Sequence, residues 1–198
     1  MKETNDTPKE LEDKFKLWTL RMILKADVTR EYQDENFIFF SPQKKRVTQF
    51  LGLEKYACTN SKEFDKKEVM QVLQTQLIAL EKKKEITTLP VLEKNIKQLS
   101  KELSLSPIEE QVLEFCILGN AYNFLSGQVA NMLGYQLNTA QVLKALSIIL
   151  GIPILDIKDA LQPNATLISH GIIGFDYTGI KPLAFKINMR GYYKFSSA

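Results

Sequence analysis

Residues 106–118 read Ser106-Pro107-Ile108-Glu109-Glu110-Gln111-Val112-Leu113-Glu114-Phe115-Cys116-Ile117-Leu118, and this stretch decides how the chain is parsed. A serine that can accept a backbone N–H stands before a proline at the first helical position, where the missing donor costs nothing. Glu109, three residues after the serine, can reach back to the serine N–H and complete a capping box. The spacing predicts a helix from Pro107 to about Leu118. Glu109, Glu110 and Glu114 fall in its first turns, where acidic groups favour the helix dipole, and this accounts for their clustering without acid–base chemistry.

Downstream, two more helices are predicted at about 124–133 and 139–150, the second capped by Asn138. A short one begins at Pro153 and ends before Pro163. The period changes from Thr166. Ile172, Ile173, Phe175 and Tyr177 suggest one strand, and Leu183, Phe185, Ile187 and Met189 alternate as a half-buried second strand does. Three helices followed by two strands are the order of a winged helix.

Upstream the chain reads as helical. Leu11, Phe15, Trp18 and Met22 form an apolar stripe on a helix from about Pro8 to Ala26, and Asn36 to Phe40 reads as a strand or buried segment. Ser41-Pro42 opens a helix that carries Val47, Phe50 and Leu51 and stops at Gly52. Asp65 to Glu68 has capping-box spacing ahead of Val69, Val72, Leu73, Leu77 and Leu80, and Lys82-Lys83-Lys84 closes that helix. Pro90 starts another, with Leu92, Ile96, Leu99 and Leu103 along one seam. Leu51-Gly52-Leu53, Leu133-Gly134-Tyr135 and Leu150-Gly151-Ile152 each read as a left-handed C-cap followed by its apolar contact. The expected fold is therefore mainly α: a helical N-terminal half, residues 1–88, and a winged-helix-like C-terminal half with a small β-sheet, residues 89–198.

The net charge of +3 hides an asymmetry, since residues 1–106 hold 20 Lys/Arg and 17 Asp/Glu whereas residues 107–198 hold 6 of each. The first stretch reads as a solvated helical surface. The second is sparsely charged, as a surface that rests against a partner often is. No apolar run approaches the roughly 20 residues of a membrane span, and the charged stretch Met1 to Phe15 lacks the apolar core of a signal peptide. The chain thus reads as cytoplasmic, with no membrane partner. Cys58 and Cys116 lack a CxxC spacing and read as reduced packing residues.

Catalytic chemistry is not legible. The single histidine, His170, has no cysteine near it in sequence, so a zinc site is not expected. No GxSxG, GxGxxG or P-loop occurs, and the span from Gly127 to Gly134 lacks the phosphate-binding lysine. The chain is expected to carry no catalytic, cofactor or metal site of its own.

Ala130 and Gly134 have the spacing of the small residue and turn glycine of a helix-turn-helix, which makes Thr139 to Leu150 the recognition helix. That helix holds one cation, Lys144, whereas DNA binding neutralises several phosphates. DNA is therefore a disfavoured partner, and a protein contact is preferred. Tyr135, Leu137, Tyr192 and Tyr193, at expected turns or edges, are the candidate anchors, with Lys144 the residue that would report on DNA. The clusters Lys44-Lys45-Arg46 and Lys82-Lys83-Lys84 read as solvated helix ends.

Residues 92–177 resemble a region found ahead of the ATPase module in a group of bacterial AAA-family ATPases. The resemblance is carried by Asn95-Ile96, Leu99, Leu103-Ser104-Leu105-Ser106, Glu109-Glu110 and Leu113-Glu114-Phe115. It continues through Ile154-Leu155-Asp156-Ile157, Ala160-Leu161 and Pro163-Asn164-Ala165 to Leu167-Ile168 and Gly171-Ile172-Ile173-Gly174-Phe175-Asp176. It implies an accessory, non-catalytic N-terminal domain that mediates protein or substrate contacts or regulates the motor, with the ATPase module of a longer parent chain as partner and ATP bound only by that parent. A winged-helix transcriptional regulator and a stand-alone helical scaffold are the alternatives.

Overall fold

Residues 7–25, 47–56, 66–122, 137–175 and 187–189 are described by a computed structural model, in which the chain divides into two units, Met1–Thr87 and Thr88–Ala198. The described chain is mainly helical, as its periodicity predicts.

In the first unit, α1 (Lys9–Lys25) packs on α2 (Lys66–Glu81). The expected stripe of Leu11, Phe15, Trp18 and Met22 is buried, and the Phe15 and Trp18 rings stack at 5.9 Å. Leu17 and Leu20, off that stripe, are buried as well, so α1 is covered on more sides than a surface helix. Val69, Leu73, Leu77 and Leu80 form the inner face of α2. The short helical stretch 47–50 ends at Gly52, with φ +67°, and is closed by Leu53 N–H donating to the Thr48 carbonyl at 2.8 Å.

Ion pairs line the rim of this unit. Arg21 and Lys25 both reach Glu81, at 3.2 and 2.7 Å, and hydrogen bonding from Lys25 foremost holds the Glu81 carboxyl below the usual glutamate range despite its partial burial. Lys83, expected to serve the α2 dipole, pairs instead with Asp13. Partly exposed pairs of this kind contribute about 0–1 kcal/mol each. Burying a side chain such as Phe15 contributes about 1.5–3 kcal/mol, so packing, and not the charge rim, holds the pair together.

The second unit is built on α4 (Pro107–Ala121). This helix packs against α3 (Pro90–Leu103), α6 (Ile154–Ala160), α7 (Thr166–Ser169) and strand β2 (Ile187–Met189). Val112, Leu113, Phe115, Cys116 and Leu118 are accordingly buried around most of its circumference. Helix α5 (Thr139–Leu150) packs on α6. Its expected cap is present, with Asn138 Oδ1 accepting the Gln141 N–H and Gln141 Oε1 accepting the Asn138 N–H, each at 2.9 Å.

Two turns in this unit use the same device. At the end of α5, Gly151 sits at φ +71°, and the N–H groups of Gly151 and Ile152 both donate to the Ser147 carbonyl, at 2.9 and 3.1 Å. At the end of α3, Ser104 takes the equivalent place at φ +55°, with its own N–H and that of Leu105 donating to the Ser100 carbonyl. Leu105 and Ile152, the residues that follow, are both buried. A side chain in the left-handed region costs roughly 1–2 kcal/mol, a cost that glycine avoids.

After α6 the sequence predicts strand from residue 172, and the chain first makes the single helical turn of α7. Strand β1 (Ile173–Phe175) then pairs antiparallel with β2, with Ile173 opposite Met189 and Phe175 opposite Ile187. The expected β-sheet is thus reduced, among the described residues, to a ribbon three residues long, which by itself does not make a winged helix. The expected helix at 124–133, the segment 36–40 and the cap at Gly134 lie outside the described residues.

Ser104→Gly relieves the one left-handed non-glycine residue among those described. The variant is expected to be more stable by about 0.5–1 kcal/mol in urea unfolding, net of the added freedom of its unfolded chain.

Candidate functional site

The acidic cluster of α4 has a structural task that the capping box only half reveals. Glu109 is 7% exposed although it is a carboxylate. Its Oε2 accepts the Ser106 N–H at 2.9 Å and the Ser106 hydroxyl at 3.0 Å, while Ser106 Oγ accepts the Glu109 N–H at 3.2 Å. Its Oε1 accepts the backbone N–H groups of Thr166 at 2.8 Å and Leu167 at 3.4 Å. One side chain therefore caps its own helix and the start of α7, whose N-cap residue, Ala165, has no side chain able to do so. Burial pushes the Glu109 carboxyl up, but the bonds from Ser106, Leu167 and Thr166 outweigh it and hold the group below the usual glutamate range. Beside it, the Ser100 hydroxyl donates to Glu110, joining α3 to α4.

Of the expected partner contacts, Tyr135, Tyr192 and Tyr193 lie outside the described residues. Lys144 is exposed on α5. Leu137 is only 2% exposed, so it belongs to the core and is no anchor for a partner. The position ahead of Asn138 reads as a turn or edge from sequence, yet the Leu137 side chain turns inward.

Helices α5 and α6 meet at 111° across the three residues Gly151-Ile152-Pro153. Two helices at roughly 90–120° joined by a short glycine-containing turn are the geometry of a helix-turn-helix. The pair expected from sequence has residues 124–133 as its first helix and α5 as its second, and that first helix lies outside the described residues. In the described structure α5 is the first helix of this corner and α6 the second. The signal was present in Gly151, which also reads as a plain C-cap. Leu146, Leu150, Ile152, Ile157, Ala160 and Leu161 are buried, and the Ser147 hydroxyl donates to the Ile152 carbonyl at 2.6 Å, fixing the turn. The outer side of α6 presents Ile154 and Leu155, 44% and 68% exposed, together with Lys158 and Asp159.

No group of three His, Cys, Asp or Glu side chains that could hold a metal ion occurs among the described residues. His170 Nδ1 lies 2.9 Å from the Thr166 carbonyl and 3.3 Å from Ser169 Oγ, so its ring finishes the exposed end of α7. Burial pushes the Cys116 thiol up to about 12, which leaves it protonated and a poor nucleophile. No single helix among the described residues is long and apolar enough to cross a membrane; α5 and α6 meet that composition only together, across their bend. Comparison with family models, curated proteins and solved structures finds no match to the chain.

The capping role of Glu109 sets a pH dependence. Because its folded pKa is depressed, its stabilisation is fully present above the pKa of an unfolded glutamate and is lost as pH falls through the folded value. Glu109→Gln is expected to cost about 2 kcal/mol in denaturant unfolding at neutral pH. The gap between wild type and variant should close as the buffer is taken below the carboxylate range. A gap that stays constant with pH would show that the charge on Glu109 does not matter.

Proposed function

We propose that residues 88–198 form a winged-helix-like module that contacts protein through the α5–α6 corner, and that the chain serves as an accessory, non-catalytic region of a AAA-type ATPase. The observation that carries this reading is the outer side of α6. In a DNA-binding helix-turn-helix the second helix enters the major groove and its surroundings neutralise phosphates. Here that helix exposes Ile154 and Leu155, and its single cation, Lys158, is matched by Asp156 and Asp159. A half-exposed aliphatic pair on a helix whose one cation is outnumbered by two carboxylates suits a protein groove better than a polyanion.

The ATPase assignment rests on the sequence resemblance, whose residues fall on connected pieces of this unit. Leu103 to Phe115 span the turn into α4 and most of that helix, Ile154 to Leu161 are α6 and its end, and Leu167 to Phe175 run through α7 and β1. Such a region would bind no nucleotide itself and would deliver or restrain substrates for the motor.

Two measurements on the full chain test the reading. A photo-cross-linking amino acid at Leu155 is expected to capture a protein carrying a AAA module, and one at Lys144, on the adjoining helix, to capture it more weakly. Duplex DNA at physiological salt is expected to bind no tighter than about 10⁻⁴–10⁻⁶ M, the range of non-specific association. A nanomolar complex with one DNA sequence, weakened by Lys158→Glu, would replace this account with a DNA-binding regulator.

A further inference from the structure

The chain leaves α2 at Glu81 and reaches α3 at Pro90 through a segment without regular structure, and that segment is fastened to α1. Its attachments follow one another in opposite order along the two partners. Glu81 holds Arg21 and Lys25 near the end of α1, and Lys83 pairs with Asp13. The Thr87 hydroxyl then donates to the carbonyl of Glu10, in the first turn, at 3.3 Å. Residues 81–87 therefore run back along α1 from its last turns to its first, all within the first unit.

The fastening past Glu81 is polar and shallow. The Lys83 and Asp13 side chains are 47% and 43% exposed, and the Thr87 bond is exposed as well. Among the described residues, the backbone of residues 84–88 makes no hydrogen bond, so lifting the segment breaks no ladder. Leu80, the last buried apolar residue of α2, precedes the segment, and Ile86 within it is only half-buried. The apolar packing of α1 on α2 is thus complete without these residues. Charge, by contrast, is concentrated there. Lys82, Lys83 and Lys84 are brought to a helix whose first turns carry Glu10, Glu12 and Asp13, and Glu12 is already taken by Lys16 at 2.6 Å. Attraction between exposed charges of this kind is screened by salt.

We propose that residues 82–88 are a releasable strap, docked on α1 through Lys83–Asp13 and Thr87–Glu10 in one state and free in the other. Docked, the strap ends the first unit on α1. Released, its seven residues span up to about 23 Å at 3.3 Å each, and that length becomes available as tether between the two units. The two states differ by a few exposed polar contacts and by no buried apolar surface, so neither is strongly favoured. Ionic strength, or an acidic segment of a partner that competes with Asp13 for Lys83, moves the balance toward release. The α1–α2 pair stays folded throughout, because the contacts that hold it lie outside the strap.

Limited trypsin digestion of the full chain tests this, because cleavage after Lys82, Lys83 or Lys84 needs the strap lifted into the protease. Rates are read against a free peptide of residues 78–90, which removes the effect of salt on trypsin itself. Cutting within 82–84 of the wild type is expected to be slow in dilute buffer and about fivefold faster in half-molar salt, while the melting temperature stays within the folded range. Asp13→Lys, which sets two cations against each other, is expected to be cut about fivefold faster than wild type in dilute buffer and to lose the salt dependence. The double variant Asp13→Lys/Lys83→Asp restores the pair with its signs exchanged, keeps Lys82 and Lys84 as cleavage sites, and is expected to recover protection. A wild-type rate indifferent to salt, an Asp13→Lys rate equal to that of wild type, or a double variant cut as fast as Asp13→Lys would each overturn the proposal.

Discussion

A single buried carboxylate holds the second unit in its shape. Glu109 accepts from Ser106 on one oxygen and from the start of α7, 57 residues further on, with the other. Hydrogen bonds to a charged acceptor contribute roughly 1.5–3 kcal/mol, and an uncompensated buried charge costs more than that. The carboxylate is therefore tolerable in the interior only while both sets of donors are in place. This makes it a test of correct assembly as much as a source of stability. Removing α7 from it would leave two backbone donors and one oxygen unpaired together.

The consequences run outward from that point. Fixing α7 against the first turn of α4 places β1 where it pairs with β2, since only His170 to Ile172 separate the short helix from the strand. The same α4 also packs against α6, whose Ile157 and Ala160 are buried. The outer surface of α6, with Ile154 and Leu155, is thereby held on a rigid support. A contact surface built this way loses little entropy on binding, because its side chains are presented by a packed corner and not by a loop. The first unit is built differently. Its rim is laced with ion pairs of small individual value, and its stability comes from aromatic and aliphatic burial along α1 and α2.

What could be read from the sequence was local. Ser106, Pro107 and Glu109 start α4 where the capping rules put it, Asn138 starts α5, and Pro90 starts α3. Gly151 takes the left-handed conformation its position requires. The features that escaped depend on residues far apart in the chain. The other half of the Glu109 site lies at Thr166, where no sequence rule links a carboxylate to an uncapped helical turn. That missing link is also why the turn of α7 was invisible: Ala165 offers no cap of its own, so the residues read as a lead into strand. Ser104 escaped for the opposite reason, since serine is uncommon in the left-handed region and the expected signal there is glycine. Leu137 reads as a surface anchor from its place at an expected turn, while its burial is decided by the tertiary core. The α5–α6 corner escaped on degeneracy, because a glycine at a helix end such as Gly151 marks a cap and a helix-turn-helix equally well, while the first helix of the pair expected from sequence, 124–133, lies outside the described residues.

The claim that Glu109 joins α4 to α7 as a charged acceptor is tested most directly by an NMR titration of the backbone amides of Thr166 and Leu167. Both resonances should move together with the Glu109 side-chain carboxyl signal, at a single midpoint below the range of an ordinary glutamate. Amides that do not follow the carboxyl, or a midpoint at or above that range, would contradict the account.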